Sequence, residues 1–428
     1  MGRGHTRPQW EDTLPIDVGP IRAAEFPVTE NFLYFNNAGV APIPARSAAA
    51  GIAMLQLARD EGAYRLRKWE ELANETRGRF ARIVGASPDE IAFVKNTSEG
   101  LSFVAAGFPW KEGDNLVTAN VEYPSNVYPW LRLRTRNVEV RMVPAREGRV
   151  RKEDLFAACD GKTRLITLSS VEFSNGYRND LTGIGEYCQK HGIFFCVDAI
   201  QSVGVLPMDV KSFGIDALSA DGHKWLLSPE GIGAFYISRD VMEMVEPVIL
   251  GWHSVKNRFD FENYDFRLSP DARRYEPGSL NTVGLSSFNA SLDLLLSLGV
   301  DRIWERVRRL TERVREKAVE EGCKVVSPDH PEERSGIVTF RVPEADNAAL
   351  WRALLNRKAV CSHRAGGIRV SPHFYNTHAD IDRTVAAIKK YVARERAAGR
   401  RFVAINCGAN MNFDRLRHVA ERADLGAQ

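Results

Sequence analysis

The sequence predicts an α/β protein with a large domain on a mainly parallel, seven-stranded-type sheet and a smaller C-terminal α+β domain. Three observations predict it. Between residues 31 and 285 short apolar runs alternate with helix-like stretches, the pattern of strands buried on both faces and separated by helices. From 286 the texture changes to long helix-like runs with only a few short strands. A carboxylate (Asp198) and a lysine (Lys224) stand at or just beyond two apolar runs, at the edge where open α/β sheets bind ligands.

Taken in order, residues 1–30 are polar and proline-dotted and read as an arm. The large domain, 31–285, holds strand candidates at 116–119, 138–143, 165–169, 193–197, 215–219 and 233–237. Helix-like segments at 67–84, 125–136, 151–159 and 181–191 lie between them, punctuated by Gly and Asp. The small domain, 286–396, opens with helices at 286–298 and 301–321, the second amphipathic with Ile303, Trp304, Val307 and Leu310 facing inward. Strands at 336–341 and 367–371 follow, then a helix at 379–397 with Thr377 as its cap and Asp380 three residues on. His373 and His378 flank that helix start and read as capping or solvated residues. Residues 397–428 form an appended tail.

Composition narrows the function. The 428 residues carry 58 Lys+Arg against 55 Asp+Glu, a net +3 with no dense basic stripe, so no nucleic-acid partner is expected. No apolar run reaches the roughly 18 residues of a membrane span, so no membrane partner is expected and the cytoplasm is the expected compartment. Six cysteines without a CxxC pair make neither a disulfide framework nor a structural zinc site, and no metal is expected.

Three segments carry chemistry. Asp221-Gly222-His223-Lys224-Trp225 lies just beyond a strand and precedes a Gly-rich turn. Taken alone, Lys224 is a solvated surface lysine. In Phe194-Phe195-Cys196-Val197-Asp198 a carboxylate ends a hydrophobic strand, with Gln201 three residues later. A carboxylate so placed needs a partner or bears a large desolvation cost, and a protonated pyridine nitrogen would supply that partner. Asn96-Thr97-Ser98-Glu99-Gly100 puts hydroxyls and a glycine at a helix start, a composition that suits a phosphate as well as a simple N-cap.

Together these segments resemble the fold type I pyridoxal-phosphate enzymes, specifically the class V aminotransferases, a family that includes cysteine desulfurases, selenocysteine lyases and isopenicillin-N-epimerase-like proteins. The resemblance runs from about Leu33 to Val392 and takes in Tyr34-Phe35-Asn36-Asn37-Ala38-Gly39, Ser174-Asn175-Gly176, Glu276-Pro277-Gly278-Ser279 and Arg369-Val370-Ser371. It implies pyridoxal 5'-phosphate as cofactor, held as a Schiff base by Lys224, which also moves the Cα proton. It implies that Asp198 keeps the ring nitrogen protonated, that Gln201 donates to the ring hydroxyl oxygen, and that Asn175 faces ring and substrate. Tyr123 matches the aromatic residue stacked on the ring. Thr97, Ser98 and His223 match phosphate contacts, and Ser279 matches one supplied by the neighbouring subunit, which implies a homodimer. Arg369 matches the arginine that grips the carboxylate of a small amino-acid substrate.

Three departures bear on the reaction. Tyr123 stands where many desulfurases carry His, so stacking survives but a proton carrier is lost. Asp221 stands where many members have Ser or Thr, and a carboxylate there repels phosphate. Desulfurases carry a nucleophilic cysteine on a loop before the arginine; here that stretch, 360–367, is short, and Cys361 reads as a packing residue at a strand end. The leading expectation is therefore amino-group transfer. A β-eliminating C–S lyase or desulfurase-like enzyme is the alternative, and a non-catalytic cofactor-binding regulator is a third reading. The tail contains Cys407-Gly408-Ala409-Asn410, which resembles a fragment of the threonine dehydratases, with a helix expected at 412–424.

Overall fold

The computed structural model describes residues 16–397; the expected tail, including Cys407 and the helix at 412–424, lies outside the described residues. A seven-stranded sheet runs in the order Ile91–Val94, Gly233–Ile237, Ala217–Asp221, Phe194–Asp198, Thr163–Ser169, Asn115–Ala119, Glu139–Val143. Gly233–Ile237 is antiparallel to both neighbours and every other pairing is parallel. Six of these strands are buried along almost their whole length, the condition of a sheet covered on both faces, and two large apolar clusters fill those faces.

The register gathers the chemistry on one edge. Ser169 pairs with Asp198, Asp198 with Ser219, Asp221 with Gly233, and Gly233 with Val94. The chain leaving Val94 turns at once into the helix Thr97–Gly107, capped by Asn96, whose side chain accepts from the Glu99 amide at 3.0 Å. That helix lies close against the strand Ala217–Asp221 because residue 100 is glycine: a Cβ there would stand 2.4 Å from Ser219 Oγ.

The small unit has its own four-stranded antiparallel sheet, Ser362–Arg364, Gly367–Val370, Val338–Arg341 and Lys324–Val325, packed on Val300–Glu320, Asn347–Asn356 and His378–Ala397. Ile303, Val307 and Leu310 face inward as their spacing predicts. Thr377 and Asp380 form a reciprocal cap, each backbone N–H meeting the other's side-chain oxygen at 3.0 and 3.2 Å.

Some elements differ from the sequence reading. The expected arm contains the helix Val18–Glu25, tied to the small unit by the Arg22–Asp380 ion pair at 2.5 Å. Leu33–Tyr34 pairs with Ala359–Val360, so the start of the expected large domain is stitched to the small unit. The single helix expected at 125–136 is three short turns, broken where Val127 leaves the helical region (φ −124°, ψ −55°) and Pro129 removes a backbone donor. The strand Ile91–Val94 and the helices Ala45–Glu61 and Asn347–Asn356 were not foreseen.

Candidate active site

A cavity of about 540 Å³ opens at the sheet edge between the two units, and Thr97, Ser98, Tyr123, Asp198, Gln201, His223, Lys224 and Arg369 all line it. Residues from four strand ends and one helix start, separated by up to 272 positions, therefore meet in one place. Lys224 is 8% exposed. Burial is the main cause that lowers its amine to about 8; Asp198 opposes this, and the Arg369 guanidinium adds to it. Its Nζ lies 5.5 Å from the centre of the Tyr123 ring, which is itself held edge-on by Phe173.

Asp198 is buried and its carboxylate accepts from the Ile200 amide at 3.1 Å. Burial pushes it up to about 6, against the backbone donor and Lys224. Glu122, behind it, accepts from Ser169 N at 2.7 Å, Ser169 Oγ at 2.6 Å and Asn126 Nδ2 at 2.9 Å, which fixes the turn carrying Tyr123 and Ser125. Burial raises Glu122 to about 7.

At the helix start Ser98 Oγ donates to Ser125 Oγ at 2.8 Å, while Thr97 Oγ1 accepts from the Asp221 amide at 3.0 Å. Asp221 Oδ2 lies 3.1 Å from His223 Nδ1, and Asp221 Oδ1 is buried without a hydrogen bond. The histidine thus faces the carboxylate that would otherwise repel an anion.

Arg369 is 2% exposed, and its second terminal nitrogen lies 3.5 Å from Asn36 Oδ1 and from Ser362 Oγ rather than on a carboxylate. One of its nitrogens donates to Phe173 O at 2.6 Å, and its Nε has no partner. Burial, reinforced by Arg364, lowers it to about 9. A buried guanidinium at a cavity wall has the forked geometry that suits a carboxylate. Arg364, Ser362 and Asn36 share this wall and were not singled out from sequence; Ser362 stands directly opposite Arg369 in the hairpin register.

Two expected residues lie elsewhere. Asn175 does not line the cavity: its side chain donates to Gly148 O at 2.8 Å and accepts from Tyr177 N at 3.0 Å, holding its own turn, and Phe173 stands in the wall instead. Ser279 is exposed and outside the cavity of its own chain. His373 is a further correction, being fully buried against Trp225 rather than solvated.

Cys361 is 4% exposed, and burial pushes its thiol up to about 12. Beyond it the chain makes a hairpin with Arg364 opposite Gly367, turned by Ala365 and Gly366 at φ 48° and 68°. A two-residue turn stands in the stretch where the resemblance to desulfurases would put a cysteine-bearing loop.

The residues fit pyridoxal phosphate: an amine with lowered proton affinity, a buried carboxylate nearby, an aromatic face and a helix start share one cavity. The fold and this donor set define a pyridoxal-phosphate-dependent enzyme. The model of the class-V aminotransferases matches residues 33–384, and the chain belongs to that family. A protein of Methanothermobacter thermautotrophicus named as a probable cysteine desulfurase is 32% identical over 383 residues, covering 83% of this chain and 94% of its own. An uncharacterized aminotransferase of Bacillus subtilis, YcbU, is 28% identical over 76% of this chain and 86% of its own. Among solved structures, apo cysteine desulfurase from Thermococcus onnurineus NA1 superposes with a TM-score of 0.79 at 24% identity, over 88% of this chain and 98% of that one. The cystine C–S lyase C-DES in complex with cysteine persulfide gives 0.81 at 22% identity, over 85% and 99%. Within the family these names favour carbon–sulfur cleavage over the amino-group transfer expected first.

Proposed function

We propose that this enzyme cleaves a carbon–sulfur bond in a small cysteine-type α-amino acid and releases the sulfur without storing it on Cys361. The observation that carries the reading is the site between strand ends, Lys224 opposite Arg369, in a chain whose relatives include proteins named cysteine desulfurase. The two-residue turn after Arg364 and the buried, protonated Cys361 support release over capture on the enzyme.

Bound pyridoxal phosphate supplies an electron sink for the pair left when the Cα proton departs. Lys224 would hold it covalently, and its amine, near 8 and so partly neutral at physiological pH, could take the Cα proton of a substrate. Asp198, ionised beside a cation, would hold the ring nitrogen protonated. Tyr123 would cover the ring face. Thr97, Ser98 and His223 would hold the phosphate at the helix start, with His223 Nδ1 set 3.1 Å from Asp221 Oδ2. Arg369 receives the substrate carboxylate.

Ser279 reaches the phosphate of a second subunit, which makes the protein a homodimer. Its exposure outside its own cavity and the exposed aromatic run Trp252, Phe259, Phe261, Tyr264 and Phe266 support this.

Cysteine, cystine, alanine and glutamate are incubated separately with the purified holoenzyme. Sulfide or persulfide release with pyruvate supports the proposal. Conversion of bound cofactor to its pyridoxamine form without sulfur release supports amino-group transfer, the reading that the relative named an aminotransferase would favour. Borohydride trapping and peptide mapping must place the cofactor on Lys224.

A further inference from the structure

Trp225 follows the cavity lysine but points away from the cavity, and it is fully buried. Its indole can only donate. Nε1 does so to Gln201 Oε1 at 3.0 Å, which fixes the other end of the carboxamide as nitrogen; Gln201 Nε2 then donates to Ala38 O at 3.1 Å. A carboxamide nitrogen carries two hydrogens. Gln201 lines the cavity, so the second is free to turn into it.

Trp225 is itself held from several sides. A Cβ on Gly336 would lie 2.5 Å from its Cη2 atom, and one on Gly204 would lie 2.6 Å from its carbonyl oxygen. His373, from the segment just after the Arg369 strand, places Nε2 3.1 Å from that same oxygen. The Phe374 amide donates to His373 Nδ1 at 2.8 Å, which leaves Nε2 as the protonated nitrogen and the donor. Burial holds this imidazole down to about 4, so it stays neutral and the bond does not switch across the working range.

We propose that Trp225 is a positioning residue: its indole N–H locks the Gln201 carboxamide so that an Nε2 hydrogen faces an oxyanion on the bound cofactor ring. The inference rests on the reading of the cavity as a pyridoxal-phosphate site. Without the indole N–H, Gln201 Oε1 is a buried acceptor with no donor. The carboxamide then rotates to find one, and its hydrogen leaves the cavity.

The test is the pH titration of the visible cofactor band in substrate-free holoenzyme, together with the cofactor dissociation constant. A hydrogen bond to an oxyanion favours its charged form. Trp225→Phe, which keeps an aromatic body, and Gln201→Leu, which removes the donor, should each raise the midpoint by about half a unit, a threefold change in proton affinity. The double variant should match either single variant, because the indole acts through the carboxamide. An unmoved midpoint in a yellow Trp225→Phe protein, or shifts that add in the double variant, overturns the proposal. Should Trp225→Phe fail to fold, Gly336→Ala displaces the indole from its far edge. It must move the midpoint in the native background and leave it unmoved beside Gln201→Leu; any other pattern overturns the role. A wild-type protein with no visible band overturns the reading of the site itself, a separate result.

Discussion

The amine of Lys224 gives the sharpest quantitative prediction. An ordinary lysine has a proton affinity near 10.5, whereas burial brings this one to about 8. At pH 7 about one amine in eleven is then neutral, against roughly one in three thousand for an exposed lysine, a gain of about 300-fold in reactive form. The perturbation is Asp198→Asn, which keeps the acceptor for the Ile200 amide but removes the carboxylate that most supports the ammonium. The sign follows directly: losing a nearby anion disfavours the charged lysine, so its midpoint falls, by about one unit for charges in this proximity. Cofactor-free protein is labelled with a trace amine-acylating reagent from pH 6 to 11, and the Lys224 peptide is quantified by mass spectrometry. In the native protein labelling should fall tenfold per unit below pH 8 and level off above it; in Asp198→Asn the break should sit near 7. A native break above 9.5, or a break that rises in the variant, would refute burial as the cause.

Other predictions are independent of that one. Cys361→Ser should leave sulfur release from cysteine within about twofold of native, since the thiol is buried and protonated; a hundredfold loss would make it the nucleophile. Arg369→Lys should lower kcat/KM by about 10- to 100-fold by losing a charged, forked hydrogen bond, while the cofactor band stays intact; loss of the band would assign the arginine to cofactor binding. Arg77 pairs with buried Glu276 at 2.8 Å, so Arg77→Met leaves that buried carboxylate with the Phe93 amide but without its guanidinium and should cost about 3–5 kcal/mol in urea unfolding. Thr377→Ala removes one half of the reciprocal cap and should cost about 1 kcal/mol by the same measurement.

How much of this was legible in the sequence depended on how local the signal was. Asp198 and Lys224 announce themselves because each ends or follows an apolar run, and strand ends are where a parallel sheet delivers side chains to a ligand. Six strands of the large sheet were readable, most shifted by a residue or two. Ile91–Val94 was not, because four apolar residues carry no periodicity to separate strand from helix. Asn175 misled because its place in a turn was readable but the direction of its side chain was not. That direction is set by Gly148, 27 residues away. Arg364 and Ser362 were missed because their place in the wall follows from the hairpin register with Arg369, and that register depends on a left-handed alanine at 365 that sequence pattern does not mark. His373 was misread because burial is set by Trp225, 148 positions away.

The choice between reactions rests less on the sheet than on the small unit. Lys224, Asp198 and Tyr123 would serve transfer and elimination equally, since both begin by taking the same proton. What differs is where a leaving sulfur goes, and here the geometry is restrictive. The segment before Arg369 is spent on a hairpin whose strands pair Ser362 with Arg369 and Arg364 with Gly367, so its backbone groups are committed to the ladder. Moving Cys361 to the cavity would mean breaking that ladder as well as the bond from Trp351 Nε1 to the Cys361 carbonyl at 2.8 Å, and ionising a thiol that burial holds near 12. A loop that must swing to collect sulfur belongs among the least stable parts of a fold; this one is among the paired parts. The same hairpin seats Arg369, whose guanidinium lies in the cavity wall with Phe173 O at 2.6 Å and Ser362 Oγ and Asn36 Oδ1 at 3.5 Å. The segment that in a desulfurase would carry the sulfur is here committed to the hairpin that pairs Ser362 with Arg369.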